Sequence, residues 1–424
     1  MLDYKLTKFE NGLKVITAPL KNTKAVSVFI LVGTGSRYET SQENGIAHFL
    51  EHMFFKGTKN RPKTIDIARE LDGVGSSYNA FTGEEYTGFY VRAESSHFNL
   101  ALDVLHDMLI NSLFSEEEIK KEKGVIFEEI NMIKDLPSSY VEYVMKELLY
   151  GAQPLGKMIT GTYETITKMD RKSFTGFLNR FYKPENMIVV VAGGDDNDWL
   201  SKIKEKFGNL EKVKPEGFQK ISESQSVPQV KIFPKTTDQA HFILGFRALQ
   251  RTDERRPVLK VLNNILGATM SSRLFIEIRE KRGLCYYISS DIADFIDTGF
   301  WGVSAGVDIK RAEEAVRLIL AEFSKIKAAE VTSEELTRAK ENLKGHLYLS
   351  LEESMNVAQF LAEQEMFWGK IDDPDKVVSD IEKVTKKDIK KLANDIFKRE
   401  NLNLAIVGPF KEDIKFKELL EAYQ

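Results

Sequence analysis

The chain has 424 residues, 42% of them hydrophobic and 29% charged, with a net charge of −4 and a single cysteine, Cys285. That length exceeds one ordinary domain, and the apolar fraction excludes a disordered chain. One cysteine excludes a disulfide framework and a cysteine-rich zinc site and suits a reducing compartment. The balance of 60 basic against 64 acidic residues argues against nucleic acid as a partner.

The N-terminal stretch to Phe9 is mixed polar and apolar and leads into the turn signal Asn11-Gly12, so it reads as part of the fold rather than a signal peptide. Leu13–Ala18 and Ala25–Val32 read as strands joined by the polar turn Leu20–Lys24, and Tyr86–Arg92 alternates as a strand. The 3.6-residue period predicts helices over Asn99–Ile110, Ser115–Lys134 and Ser138–Tyr150. No apolar run approaches the length of a membrane span. Strands that follow one another early in each half favour an α+β fold over a doubly wound parallel sheet.

The chain repeats itself. A lysine-rich amphipathic helix, a short loop and an apolar strand ending at glycine occur from Ile166 to Gly193 and again from Ile381 to Gly408. The offset is a constant 215, from 166 to 381, 181 to 396 and 193 to 408, and Glu185-Asn186 matches Glu400-Asn401. A period this long indicates two copies of one domain rather than a solenoid. Between them, residues 211–226 have linker composition, with Pro215 and Gly217 among Lys, Glu, Ser and Gln. The expected domains are therefore 1–210 and 227–424, each a mainly antiparallel sheet packed against helices.

The chemistry concentrates at His48-Phe49-Leu50-Glu51-His52, an H-x-x-E-H motif in a segment that is apolar at nearly every other position. On a buried helix the two histidines share a face with Glu51 beside them, and buried imidazoles and a carboxylate must be paired or hold a metal. Catalytic zinc takes three protein ligands, and His97, His106, His241 and His346 sit in no ligand motif, so the third ligand is expected to be a carboxylate. In Ser115–Lys134, Glu122 and Glu129 lie two turns apart on the apolar stripe, whereas Glu128 is rotated off it. One is expected to be the ligand and the other to orient a histidine, and periodicity does not choose between them.

His48 to Met53, followed by Phe55-Lys56-Gly57-Thr58 and then Glu122 and Glu129, strongly resembles the pitrilysin family of zinc peptidases, the inverzincins, and above all its short two-domain members. There the glutamate ligand follows the second histidine by about the 77 positions that separate His52 from Glu129. The resemblance implies one Zn2+ per chain on His48, His52 and Glu129, Glu51 as general base and Glu122 behind the ligands. It further implies substrate contacts from Arg279 and Tyr286, seven apart, with Tyr287 the adjacent alternative. Ser77–Thr82 resembles the family's N-A-x-T edge strand, so Asn79, Ala80 and Phe81 are expected to bind substrate. Gln153 before Pro154-Leu155-Gly156 departs from the histidine often found there.

At the 215 offset His48 maps to Asn263, Glu51 to Leu266 and His52 to Gly267, so the second copy has lost the metal site. The resemblance implies a half clam-shell, completed in a homodimer whose sites form in trans, that cleaves oligopeptides or unfolded segments. The charge balance, the lack of a long apolar run and the single cysteine add the expectation of a cytoplasmic setting with no nucleic-acid or membrane partner. The competing readings are a non-catalytic scaffold subunit, which loss of ligands would support, and a metal hydrolase acting on non-peptides, which the edge-strand segment argues against.

Overall fold

The computed structural model describes residues 2–194 and 198–424; Met1, with which the N-terminal segment begins, lies outside them. The first half forms strands β1 (Lys5–Lys8), β2 (Lys14–Pro19), β3 (Ala25–Val32), β4 (Ser77–Thr82), β5 (Thr87–Glu94) and β6 (Met187–Gly193). Its helices are α1 (Ile46–Phe54), α2 (Thr64–Asp72), α3 (Phe98–Asn111), α4 (Glu116–Asp135), α5 (Pro137–Tyr150), α6 (Tyr163–Lys168), α7 (Arg171–Phe181) and α8 (Trp199–Phe207). The second half forms β7 (Gln229–Pro234), β8 (Gln239–Arg247), β9 (Cys285–Asp294), β10 (Gly299–Asp308) and β11 (Leu402–Gly408). Its helices are α9 (Arg256–Leu266), α10 (Ala312–Ala328), α11 (Ser333–Ser350), α12 (Ser354–Trp368), α13 (Pro374–Glu382), α14 (Lys386–Ile396) and α15 (Ile414–Glu421). The predicted strands and helices recur with ends shifted by a residue or two. Among the described residues no helix is long and apolar enough to cross a membrane.

The α+β class is borne out by two sheets of matching topology. The first runs β1-β2-β6-β3-β5-β4 and the second β7-β11-β8-β10-β9, so from β2 and β7 onward the strand orders correspond. In each sheet one pair is parallel, β2 with β6 and β7 with β11, and the remaining pairs are antiparallel. The repeat at Met187–Val191 and Leu402–Ile406 is thus the same inner strand of each sheet. Both are buried without alternation because both faces are covered, Asn403 being the polar exception in the second. Val189 and Val191 face one apolar cluster while Ile188, Val190 and Ala192 face another.

The compact units interleave along the chain instead of following it in the order 1–210, 211–226, 227–424. One comprises residues up to Ile130, Met158–Gln219 and Tyr348–Pro374; the other comprises Asn131–Lys157, Lys220–Leu347 and Asp375–Gln424. The physical cause is a reciprocal exchange of helices. Val357, Ala358, Leu361 and Ala362 of α12 cover Phe29, Leu31, Ile188 and Val190 of the first sheet. Val141, Val144, Met145 and Leu149 of α5 cover Ile243, Ala405 and Val407 of the second. Polar links fix α12 in place, Ser27 Oγ to Ser354 Oγ at 2.8 Å and Lys14 Nζ to Glu365 at 2.6 Å.

Candidate metal centre

Helix α1 starts where the backbone turns sharply at Gly45, φ 98°. A Cβ there would lie 2.7 Å from Gly161 Cα and 2.8 Å from Thr160 O, so only glycine fits. Gly45 offers the helix no side-chain cap, and the deficit is made good by Glu39. Its carboxyl accepts the N–H groups of Gly45 at 2.8 Å and Ala47 at 2.9 Å and the Asn44 amide at 3.1 Å. Ile46, Ala47, Phe49, Leu50, Met53 and Phe54 are buried, which leaves His48, His52 and Glu51 as the polar groups of an otherwise apolar helix.

Two histidines one turn apart bring their Nε2 atoms to 3.3 Å. Helix α4 sets Glu129 across from both, Oε1 at 3.5 Å from His48 Nε2 and Oε2 at 3.6 Å from His52 Nε2. One ligand atom from each of these residues falls within 4.8 Å of the others. Nitrogen and oxygen ligands about 2.0–2.1 Å from a tetrahedral ion stand about 3.4 Å apart, so the observed spacings fit a zinc-sized cation.

Glu122, one helical face with Glu129, does a different job. Its Oε1 accepts from His52 Nδ1 at 2.8 Å, and its Oε2 pairs with Lys56 Nζ at 2.7 Å. The two glutamates left equivalent by periodicity thus differ in place: Glu129 stands at the Nε2 atoms and Glu122 behind His52. Among the described residues, His48 Nδ1 is buried without a hydrogen-bond partner.

The charges follow from these contacts. Burial opposes a charge on His52, but the hydrogen bond from His52 to Glu122 and the charges of Glu122, Glu129 and Glu51 outweigh it, and its pKa is raised. Burial likewise opposes ionisation of Glu122, yet His52 and Lys56 hold it below the ordinary carboxylate range. The contact with His48 lowers Glu129 against its own burial.

Glu51 is half-buried, and its Oε2 accepts from Thr82 Oγ1 at 2.6 Å. Thr82 ends β4, which lies at the edge of its sheet and pairs with β5 alone among the described residues. Tyr78 and Ala80 pack into the cluster that contains α1, while Phe81 packs on the α12 side, its ring 6.2 Å from that of Phe29 and 6.0 Å from that of Tyr86. Asn79 is exposed, and its Oδ1 accepts from the Ala80 N–H at 2.9 Å. Of the three residues expected to bind substrate, Phe81 is a packing side chain whose backbone alone is at the edge.

Arg279 and Tyr286 stand together in the second unit. Phe275–Glu280 is a π-helical turn, and the Arg279 guanidinium lies 4.8 Å from the Phe275 ring centre and 5.7 Å from that of Tyr286. Tyr286 is 77% exposed, whereas the Tyr287 hydroxyl turns inward to His241 Nδ1 at 3.0 Å. Strand alternation therefore separates the two tyrosines. At the positions that match the motif by the 215 offset, Asn263 Oδ1 accepts from Trp301 Nε1 and Ser290 Oγ, both at 2.7 Å. A Cβ on Gly267 would come within 2.5 Å of Ser290 Oγ.

Lys56 and Thr82 lie within the sequence motifs, but neither has a task legible there. Lys56 follows His52 by one helical turn, and that spacing was readable. Thr82 shares strand parity with Ala80, but no sequence signal shows that this face meets Glu51.

The profile of the insulinase family, peptidase family M16, matches residues 14–163, and that of the peptidase M16 inactive domain matches residues 168–343. An uncharacterized zinc protease of Bacillus subtilis is 36% identical over 401 residues, covering 94% of this chain and 97% of that protein. Another from Streptomyces coelicolor is 34% identical over 413 residues, covering 96% and 90%. A protease from Helicobacter pylori has the same fold, with TM-score 0.91 at 24% identity over 96% of this chain and 100% of that one. So does a peptidase M16 inactive domain from Pseudomonas fluorescens, with TM-score 0.88 at 18% identity over 96% and 99%. The resemblance drawn from the H-x-x-E-H segment is borne out over nearly the whole length, and the chain belongs to the insulinase family of peptidases, family M16.

Proposed function

We propose that this chain is a zinc-dependent endopeptidase that cleaves oligopeptides or unfolded segments. The observation that carries the reading is the convergence of His48 Nε2, His52 Nε2 and a Glu129 oxygen at tetrahedral spacing beside Glu51. Relatives named as zinc proteases support zinc as the ion, and the His48, His52 and Glu129 group suits one ion per chain. When bound, zinc supplies Lewis acidity, which polarises a carbonyl and makes a water molecule acidic near neutral pH.

The chain's own residues divide the remaining work. Glu122 keeps the proton of His52 on Nδ1. Glu51 accepts the proton of the attacking water and returns it to the departing amine nitrogen. A peptide lies along β4 as an added strand, held by backbone groups of Asn79, Ala80 and Phe81, so that sequence preference is broad. The Arg279 guanidinium and Tyr286 hydroxyl donate to the oxygen on which charge develops.

Both feature sets occur in one polypeptide, which suits a homodimer in which each chain's metal triad meets the partner's arginine and tyrosine across a closed chamber. We read residues 1–210 and 227–424 as the two copies of one ancestral domain joined by 211–226; the shared strand order supports this descent. A cytoplasmic setting goes with the sole cysteine, Cys285.

The test is metal analysis together with cleavage of a quenched-fluorescent peptide, with and without a chelator. Glu51→Gln should keep its zinc and lose cleavage; full activity in that variant defeats the base assignment. Mixing Glu51→Gln with Arg279→Ala should restore up to about a quarter of the activity, since half the dimers are mixed and one site of each is intact. A mixture that stays inactive after subunit exchange defeats the arrangement in trans.

A further inference from the structure

Among the described residues, no other group of the metal site holds the Glu51 carboxylate. Its Oε2 is instead bound by the Thr82 hydroxyl at 2.6 Å. A hydroxyl has a single hydrogen, and an ionised carboxylate only accepts, so this bond commits the donor capacity of Thr82 to Glu51. Oε1 is left for another donor.

Thr82 is itself held firmly. It pairs with Thr87 at the mouth of the β4–β5 hairpin, which closes through the Gly83 N–H and Tyr86 carbonyl at 2.8 Å. The hairpin tip is gripped by the preceding loop: Ser36 N–H donates to Gly83 O at 3.2 Å and Arg37 N–H to Glu84 O at 2.9 Å. Glu85 is buried against the Arg37 guanidinium at 2.6 Å, and the Thr87 hydroxyl donates to Thr34 O at 2.8 Å. A Cβ on Gly35 would lie 2.1 Å from Gly83 O, so loop and hairpin are in direct backbone contact. The donor aimed at Glu51 therefore sits on a strand end that cannot drift.

We propose that Thr82 is a positioning residue for peptide hydrolysis: it holds one oxygen of Glu51 so that the other faces the attacking water, and it ties the base to the strand along which substrate lies. This rests on the peptidase reading above. Glutamate has three side-chain torsions, and without the tether the Glu51 carboxylate is free to take orientations in which neither oxygen faces the water. Thr82 makes no contact with substrate in this role, so its loss should act on turnover and not on binding.

The experiment compares Thr82→Val, which keeps shape and removes the donor, with Thr82→Ser, which keeps the donor. Thr82→Val should lose about 10- to 100-fold in kcat with KM within about twofold, and Thr82→Ser should retain at least about a third of wild-type turnover. Zinc content and thermal melting should match wild type in both. In a Glu51→Gln background, Thr82→Val should leave the affinity for a fluorescent peptide unchanged. Wild-type kcat in Thr82→Val overturns the proposal. So does a tenfold loss of peptide affinity in the Glu51→Gln background, which would assign Thr82 to the substrate strand. Cleavage that survives in Glu51→Gln itself overturns the peptidase mechanism instead, and the two failures are thereby told apart.

Discussion

His52 Nδ1 donates to Glu122 Oε1 at 2.8 Å, and this bond decides which nitrogen of His52 carries the free lone pair. Because an ionised carboxylate only accepts, the proton stays on Nδ1 and Nε2 faces His48 and Glu129 ready for a cation. Lys56, 2.7 Å from the other oxygen of Glu122, keeps that carboxylate ionised.

Removing this support should weaken the metal site without touching a ligand. Glu122→Ala is expected to lower zinc affinity about 10- to 100-fold in a chelator competition, and Glu122→Gln, which still accepts from Nδ1, to lower it less. Equal affinity in Glu122→Ala and wild type would show that the orientation of His52 does not depend on this carboxylate.

The raised pKa of His52 sets a pH dependence for metal binding. Above the pKa of an unperturbed histidine, His52 in the metal-free protein still holds a second proton that a metal must displace. Zinc affinity is expected to fall as pH drops through this range, with more proton release on binding at about pH 6 than at about pH 9. Calorimetry in buffers of different ionisation enthalpy measures that release. In the metal-free protein the sign for stability is the same as for any raised histidine: its contribution is complete below the unfolded-state pKa and fades as pH rises through the folded one.

Glu39 gives stability a second dependence on pH. Burial pushes its carboxyl up to about 8, against the lowering effect of hydrogen bonds from Ala47, Gly45 and Asn44. The folded chain therefore keeps a proton that the unfolded chain releases at its ordinary 4.5, so this group's contribution is present below that value and is lost as pH rises through about 8. Each unit of separation corresponds to about 1.4 kcal/mol. Urea midpoints at about pH 6 and about pH 9 should differ less in Glu39→Gln than in wild type.

Tyr286 and Tyr287 should behave differently when each loses its hydroxyl. Tyr286→Phe is expected to reduce kcat about 100-fold, as for removal of one oxyanion donor. Tyr287→Phe gives up only its hydrogen bond with His241 and should cost about 1 kcal/mol of stability with turnover little changed. Comparable turnover in wild type and Tyr286→Phe would remove that residue from the chemistry.

The exchanged helices predict that the halves do not fold by themselves. A fragment of residues 1–210 lacks α12, which leaves Phe29, Leu31, Ile188 and Val190 bare on one sheet face. It should bind hydrophobic dye and aggregate, and Leu361→Asp in the full chain should destabilise it by about 3–5 kcal/mol. A fragment that melts cooperatively without dye binding would show that the first sheet needs no cover.

The H-x-x-E-H helix, the repeat, the paired glutamates and the strands were legible because each leaves a local record: a ligand spacing, an offset, a helical stripe, an apolar run. Glu122 and Glu129 were equivalent in that record, since a stripe reports that a face is buried but not what it meets. Alternation likewise separates Asn79 and Phe81 from Ala80 and Thr82 without saying which pair faces the metal helix. Sequence by itself therefore determined the fold class and the family, and singled out His48, Glu51 and His52 with Glu122 and Glu129 as the candidate metal-site residues. Only the tertiary structure decided that Glu122 stands behind His52, that Thr82 holds Glu51, that Phe81 belongs to the core, and that α5 and α12 cover each other's sheets. Each of these is a contact between segments far apart in the chain, and no local period encodes its partner.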